Sequence, residues 1–228
     1  MLVSSGVGCN VGGMFVNVLA YADDMVLLAP SWKALPHLLS LLDNHISSID
    51  LTCNTSKTVC MMFCPRQSSK VVSLCFPSFK LGCHTLQFVK YFKYLGHMIS
   101  ETLSDDDDIK REVQNLFLEP MFCCGVLLNV LPMLKLYFFK TYCICFYDIA
   151  LWSHYTVRSL NKLMSSYNKC VKLLFGYKRR DSVTEMLFTL GLPSFATILH
   201  NSSVIFARCW SNCCNYNELV KHFHMMLR

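Results

Sequence analysis

The hydrophobic pattern of this 228-residue chain changes character once, between about Ser100 and Ser104. Ahead of that point, short apolar runs alternate with turn residues, and only one stretch follows a helical period. Beyond it, nearly every apolar stretch follows the helical period. This change predicts an α+β chain with a mixed part at 1–103 and a mainly helical part at 104–228. In the first part, apolar runs at 14–22 and 25–29 flank Asp23 and Asp24. They predict a hairpin whose two-residue turn is Asp23-Asp24. Ser31 is placed to cap a helix reaching about Asp50, with Leu35, Leu38, Leu39, Leu42, Ile46 and Ile49 on its apolar stripe. Pro36 sits awkwardly near the start of that helix. Short strands are expected at 59–63, 71–76, 79–83, 85–89 and 93–99. In the second part, helices are expected at about 105–118, 132–152, 156–175, 181–190 and 194–212. Ser104 and the run Asp105 to Asp108 open the first of these, with carboxylates at the positive end of the helix dipole.

Composition narrows the class further. The chain is 53% apolar and 16% charged, so it is expected to bury a core. The stretch most like a membrane span, Leu116 to Phe139, is interrupted by Glu119, Pro120, Asn129, Pro132 and Lys135. No membrane span is therefore expected. The N-terminal residues MLVSSGVGCNVGG carry no basic segment ahead of an apolar one, so no secretory leader is expected. Fourteen cysteines are scattered through apolar patterns, which predicts reduced thiols and a cytoplasmic or nuclear setting. Cys209, Cys213, Cys214, His222 and His224 cluster near the C-terminus, but their spacing fits no standard zinc site, so no zinc is expected there.

Two adjacent carboxylates between apolar strands repel each other. A solvated turn tolerates them, and so does a hard dication bound through their oxygens. The tetrapeptide Tyr21-Ala22-Asp23-Asp24, within Gly8 to Ser31, resembles the catalytic hairpin of reverse transcriptases of LINE-type non-LTR retrotransposons. Asn54-Thr55-Ser56-Lys57-Thr58 is similar to the next segment of that family. Phe92-Lys93-Tyr94-Leu95-Gly96-His97 resembles its primer-grip hairpin. The helical segments from Phe138 onward resemble, more weakly, the region after the family's polymerase core.

The resemblance implies a partial polymerase palm followed by a thumb-like helical region. It implies RNA-directed DNA synthesis supported by Mg2+, or Mn2+, on an RNA template or RNA–DNA hybrid. Asp23 would be the metal-bridging carboxylate and Asp24 its neighbour. Tyr21 would lie near the primer end, and Lys57 near the leaving pyrophosphate. Tyr94, Leu95 and Gly96 would hold the primer strand. Read without the family, Lys57 is a solvated residue ahead of a strand, Tyr94 and Leu95 are strand residues, and Gly96 is a turn or a bulge. The family also needs a further aspartate upstream of the YADD turn, whereas residues 1–22 contain no Asp or Glu. The chain is therefore expected to be a truncated enzyme, inactive alone and holding the metal weakly.

One feature stands apart from the family. At 100° per residue, Lys162, Lys169 and Lys172 fall within about 40° of Arg158 on the 156–175 helix. Leu160, Leu163, Met164, Tyr167, Val171 and Leu174 fall on the other side. The basic stripe is either a solvated helix face or a surface that tracks nucleic-acid phosphates.

Overall fold

The computed structural model describes residues 6–64, 76–127, 132–144, 146, 148–213 and 217–226, with side chains left out at 118–127, 132 and 226. The chain forms two compact units, Met1–Lys90 with Met225–Arg228, and Tyr91–His224. It is an α+β chain of helices and two-stranded sheets. The division falls about ten residues ahead of the change in sequence pattern, because the hairpin at 91–100 packs with the helices that come after it.

In the first unit, β1 (Cys9–Val11) and β2 (Met14–Val16) pair antiparallel around Gly12-Gly13. Both glycines have positive φ, as a tight two-residue turn requires. Strands β3 (Val18–Tyr21) and β4 (Asp24–Leu27) form the next hairpin. The expected strand 14–22 is thus broken at Asn17. That side chain is buried and donates to the Val7 carbonyl, while its own backbone carbonyl accepts from Leu28 N at 2.8 Å. Helix α1 (Ala34–Ser47) is shorter than expected, and Ser31 accepts from the Ala34 amide. Pro36 lies in the first turn of α1, where its missing N–H would have had no helical partner.

The strand expected at 59–63 contracts to β5 (Val59–Cys60), paired in parallel with β8 (Gln87–Phe88). Between them in sequence, β6 (Lys80–Leu81) and β7 (His84–Thr85) form a short hairpin. The strand expected at 71–76 lies almost wholly outside the described residues. The core of this unit is small: Leu39, Cys60, Phe79, Leu81 and Leu86, with Leu27, Leu35 and Cys53 against it. Burial pushes the Cys60 thiol above its ordinary pKa, as expected of an inert core cysteine.

The second unit opens with the hairpin β9 (Tyr91–Tyr94) and β10 (His97–Ser100). Helix α2 (Asp106–Leu127) comes next and packs on β10 and on α4 (Val157–Phe175). The helix expected at 132–152 is interrupted. Helix α3 (Pro132–Phe138) widens into a π-helical turn, Phe139–Cys143, closed by Ile144 N on the Phe139 carbonyl at 3.2 Å. The chain then leaves the helix, and Asp148–Leu151 forms a turn. This break lets Asp148 and Trp152 meet α2 and β10.

Thr156 caps α4 at its N-terminus and Gly176, at φ 77°, ends it. Ser182 caps α5 (Val183–Leu190), and Gly191 ends it in the left-handed region. Helices α6 (Phe195–Cys213) and α7 (Glu218–Met226) complete the fold. The core of this unit centres on Phe139, Phe146, Tyr167 and Phe195, with Leu163, Val171 and Met186 around them. No single helix among the described residues is long and apolar enough to cross a membrane. Helices α5 and α6 reach that length and composition only together, with a 58° bend between them.

Candidate functional site

The YADD segment forms a tight hairpin, but its turn is displaced by one residue from the sequence expectation. Tyr21 pairs with Asp24 across the ladder, so Ala22-Asp23 is the turn and Asp24 opens β4. Ala22 takes a positive φ of 49°, which costs an L-residue some backbone strain. Tyr21, Asp23 and Asp24 are all exposed. Lys57 stands on a separate exposed turn, with its amide near the Asn54 carbonyl at 3.1 Å. No bond among the described residues joins Lys57 to Asp23 or Asp24. Nor do the two aspartates form a group of three ligands with any other described His, Cys, Asp or Glu. Magnesium asks for near-octahedral oxygen coordination, so this pair by itself does not make its site.

In the second unit, Tyr94 pairs with His97 and closes the turn Leu95-Gly96. Both turn residues have positive φ, 47° and 93°. Gly96 accepts this freely, whereas Leu95 is strained.

On α4, Arg158, Lys162 and Lys169 are exposed, and Leu163, Tyr167, Cys170, Val171 and Leu174 are buried behind them. Met164, expected on the apolar side, is 39% exposed. Lys172 departs from the stripe in its role. Its ammonium donates to the Arg179 carbonyl at 2.9 Å and the Asp181 carbonyl at 2.6 Å, tying down the loop after the helix. Among the described residues, Arg158, Lys162 and Lys169 have no acidic partner.

The densest polar chemistry lies elsewhere, around the aspartate run that opens α2. Asp105 Oδ2 accepts from the amides of Ser153 (2.7 Å) and His154 (2.6 Å). Asp106 Oδ1 accepts from Thr156 N at 2.8 Å. Asp108 is fully buried. It accepts from Met98 N (3.0 Å), Arg111 Nε (2.8 Å) and the Trp152 indole N–H (2.9 Å). His97 Nδ1 stands 3.3 Å from Asp108 Oδ2 and 3.2 Å from Asp148 Oδ2. Its Nε2 faces Asp105 Oδ1 at 3.8 Å. Arg111 Nη2 also lies 2.8 Å from Glu112 Oε1.

These contacts polarise the titrations. Burial alone would raise Asp108, but the bonds from His97, Trp152, Met98 and Arg111 outweigh it and hold the group far below the usual carboxylate range. Burial raises Asp105, Asp148 and Glu112, which have weaker compensation. The bond to Asp108 raises His97, against the opposing effect of burial. The stability that a raised imidazole contributes is fully present below its unfolded value of 6.5 and is lost as pH rises through the folded value. Raised carboxylates act in the same direction at lower pH. In EDTA, the urea midpoint of this unit should therefore fall as pH rises above about 6.5. The His97→Gln variant should flatten that fall, and an unchanged slope would refute the role of His97.

Sequence reading took the aspartate run for a helix start and missed His97, Arg111, Asp148 and Trp152. Asp148 and Trp152 lie 51 and 44 residues from their partners His97 and Asp108, a separation at which spacing carries no signal. No protein-family model, curated protein or solved structure matches the chain.

Proposed function

We propose that this chain is a reverse-transcriptase-derived polypeptide of the non-LTR type, which binds RNA or an RNA–DNA hybrid along α4 and does not polymerise by itself. The observation that carries the binding is the exposed trio Arg158, Lys162 and Lys169, on a helix whose opposite face is buried. Those cations have no acidic partner among the described residues, so their charge is available to phosphates. The derivation is supported by the YADD, Lys57 and Tyr94-Leu95-Gly96 motifs. The first and last of these form tight two-residue hairpins, one in each unit. The lack of polymerisation is supported by the aspartate pair alone, since no third His, Cys, Asp or Glu among the described residues groups with Asp23 and Asp24.

Fluorescence anisotropy with a single-stranded RNA tests the binding. Three neutralised phosphates give a slope of about −2 in log K against log salt. Affinity should then weaken roughly 20-fold from 50 to 200 mM salt. The double variant Lys162→Glu, Lys169→Glu should weaken it at least about tenfold more at low salt. Salt-independent binding, or none, would remove this reading. In a primer-extension assay with Mg2+ or Mn2+, the chain should incorporate no more nucleotide than Asp23→Ala. Incorporation abolished by that substitution would show an active polymerase instead.

A further inference from the structure

We propose that His97, Asp108 and Asp148 bind one divalent transition-metal ion, with zinc as the simplest occupant. The ligand atoms come from β10, from the first turn of α2, and from the turn just ahead of Trp152. His97 Nδ1, Asp108 Oδ2 and Asp148 Oδ2 lie within 4.8 Å of one another. The imidazole nitrogen is 3.3 and 3.2 Å from the two carboxylate oxygens. Tetrahedral zinc with bonds of about 2.0–2.1 Å sets neighbouring ligand atoms about 3.3–3.4 Å apart. The imidazole edges therefore fit with almost no movement.

Hydrogen bonding within the trio has a single imidazole proton to share between two carboxylates. Nδ1 carries at most one proton, yet two carboxylate oxygens face it. Asp108 has donors from outside the trio in Met98, Arg111 and Trp152. Asp148 has none outside it among the described residues, although it is only 4% exposed. An ionised carboxylate so buried needs a cation or a proton. The wider cluster holds Asp105, Asp108, Glu112 and Asp148 against the guanidinium of Arg111 and, when protonated, the imidazolium of His97, and a dication in place of that proton offsets the remaining excess.

The surroundings have the form of a second ligand shell. Met98 N and Arg111 hold Asp108 Oδ1, and the Trp152 indole steadies Oδ2. The far nitrogen of His97 faces the Asp105 carboxylate at 3.8 Å, the usual partner of a metal-bound imidazole. Three protein ligands leave a fourth position for water. His97, 19% exposed at its side chain, marks the way in. Magnesium fits poorly, since it prefers six oxygens. A bound ion would fasten the Leu95-Gly96 hairpin to α2 and to the turn at 148–151.

The whole chain, stripped with EDTA, tests the site. It is titrated with Zn2+, Mn2+ or Mg2+, then gel-filtered and analysed for metal and for melting temperature. One zinc per chain should be retained and should raise the melting temperature, with a smaller rise for manganese and none for magnesium. Both His97→Ala and Asp148→Asn should abolish retention. Asp148→Asn preserves side-chain shape, so it decides the matter if His97→Ala fails to fold. Cobalt substitution should give a visible spectrum without thiolate charge transfer, which separates this site from the exposed Cys209 and Cys213. Sub-stoichiometric metal, wild-type retention in Asp148→Asn, a thiolate signature, or equal stabilisation by magnesium would each overturn the proposal.

Discussion

Asp108→Ala should destabilise the unit Tyr91–His224 by about 3–5 kcal/mol, the usual cost of removing one partner of a buried charge pair. The carboxylate is fully buried, and four different residues point donors at it. Without it, the Trp152 indole N–H and the Met98 amide lose their partner in the interior. Arg111 keeps only Glu112. Asp107→Ala is the internal control, one position earlier in the same acidic run. Asp107 makes no side-chain bond among the described residues, so its loss should cost less than about 1 kcal/mol through the helix dipole. Urea denaturation followed by tryptophan fluorescence compares the two. Equal losses would mean that the run acts only through the dipole and that the Asp108 contacts contribute nothing net.

Tyr167→Ala should cost a similar amount, about 3–5 kcal/mol. Tyr167 has no exposed surface and stands among Phe139, Phe146 and Phe195, at ring separations of 6.1, 6.4 and 6.2 Å. Its removal opens a cavity among rigid rings that cannot close in. The phenol donates to the Pro193 carbonyl at 2.8 Å, and burial pushes its pKa up, so it stays protonated. Tyr167→Phe keeps the ring and loses only that bond, which should cost about 1–2 kcal/mol. A phenylalanine variant as damaged as the alanine one would place the energy in the hydrogen bond rather than in the packing.

Local chemistry was readable in the sequence, and non-local chemistry was not. The helices capped by Thr156 and Ser182 and ended by Gly176 and Gly191 carry their start and stop signals within four residues. They appear close to where the pattern puts them. The YADD hairpin was legible as a hairpin. Its turn was read one residue late because alternation of apolar residues does not say which pair closes the ladder. The helix expected at 132–152 fails because its apolar period continues past Cys143. Only the distant partners His97 and Asp108 account for Asp148 and Trp152 leaving the helix. Lys172 shares the angle of Arg158 and Lys162, but the loop folding back over it takes its ammonium. The buried cluster was the least legible part, because Asp148 and Trp152 stand 51 and 44 residues from their partners His97 and Asp108.

Asp105, Asp106 and Asp108 reach Trp152, Ser153, His154 and Thr156, at sequence separations of 44, 48, 49 and 50. Closing a chain of that length costs about 3.4 kcal/mol of entropy beyond a constant, more than one such hydrogen bond returns. The first link therefore cannot persist alone. Once it forms, however, the remaining links add no further closure cost, because the same segment is already held. These aspartates thus act as a single latch: their contacts with the segment at 152–156 form together and are lost together.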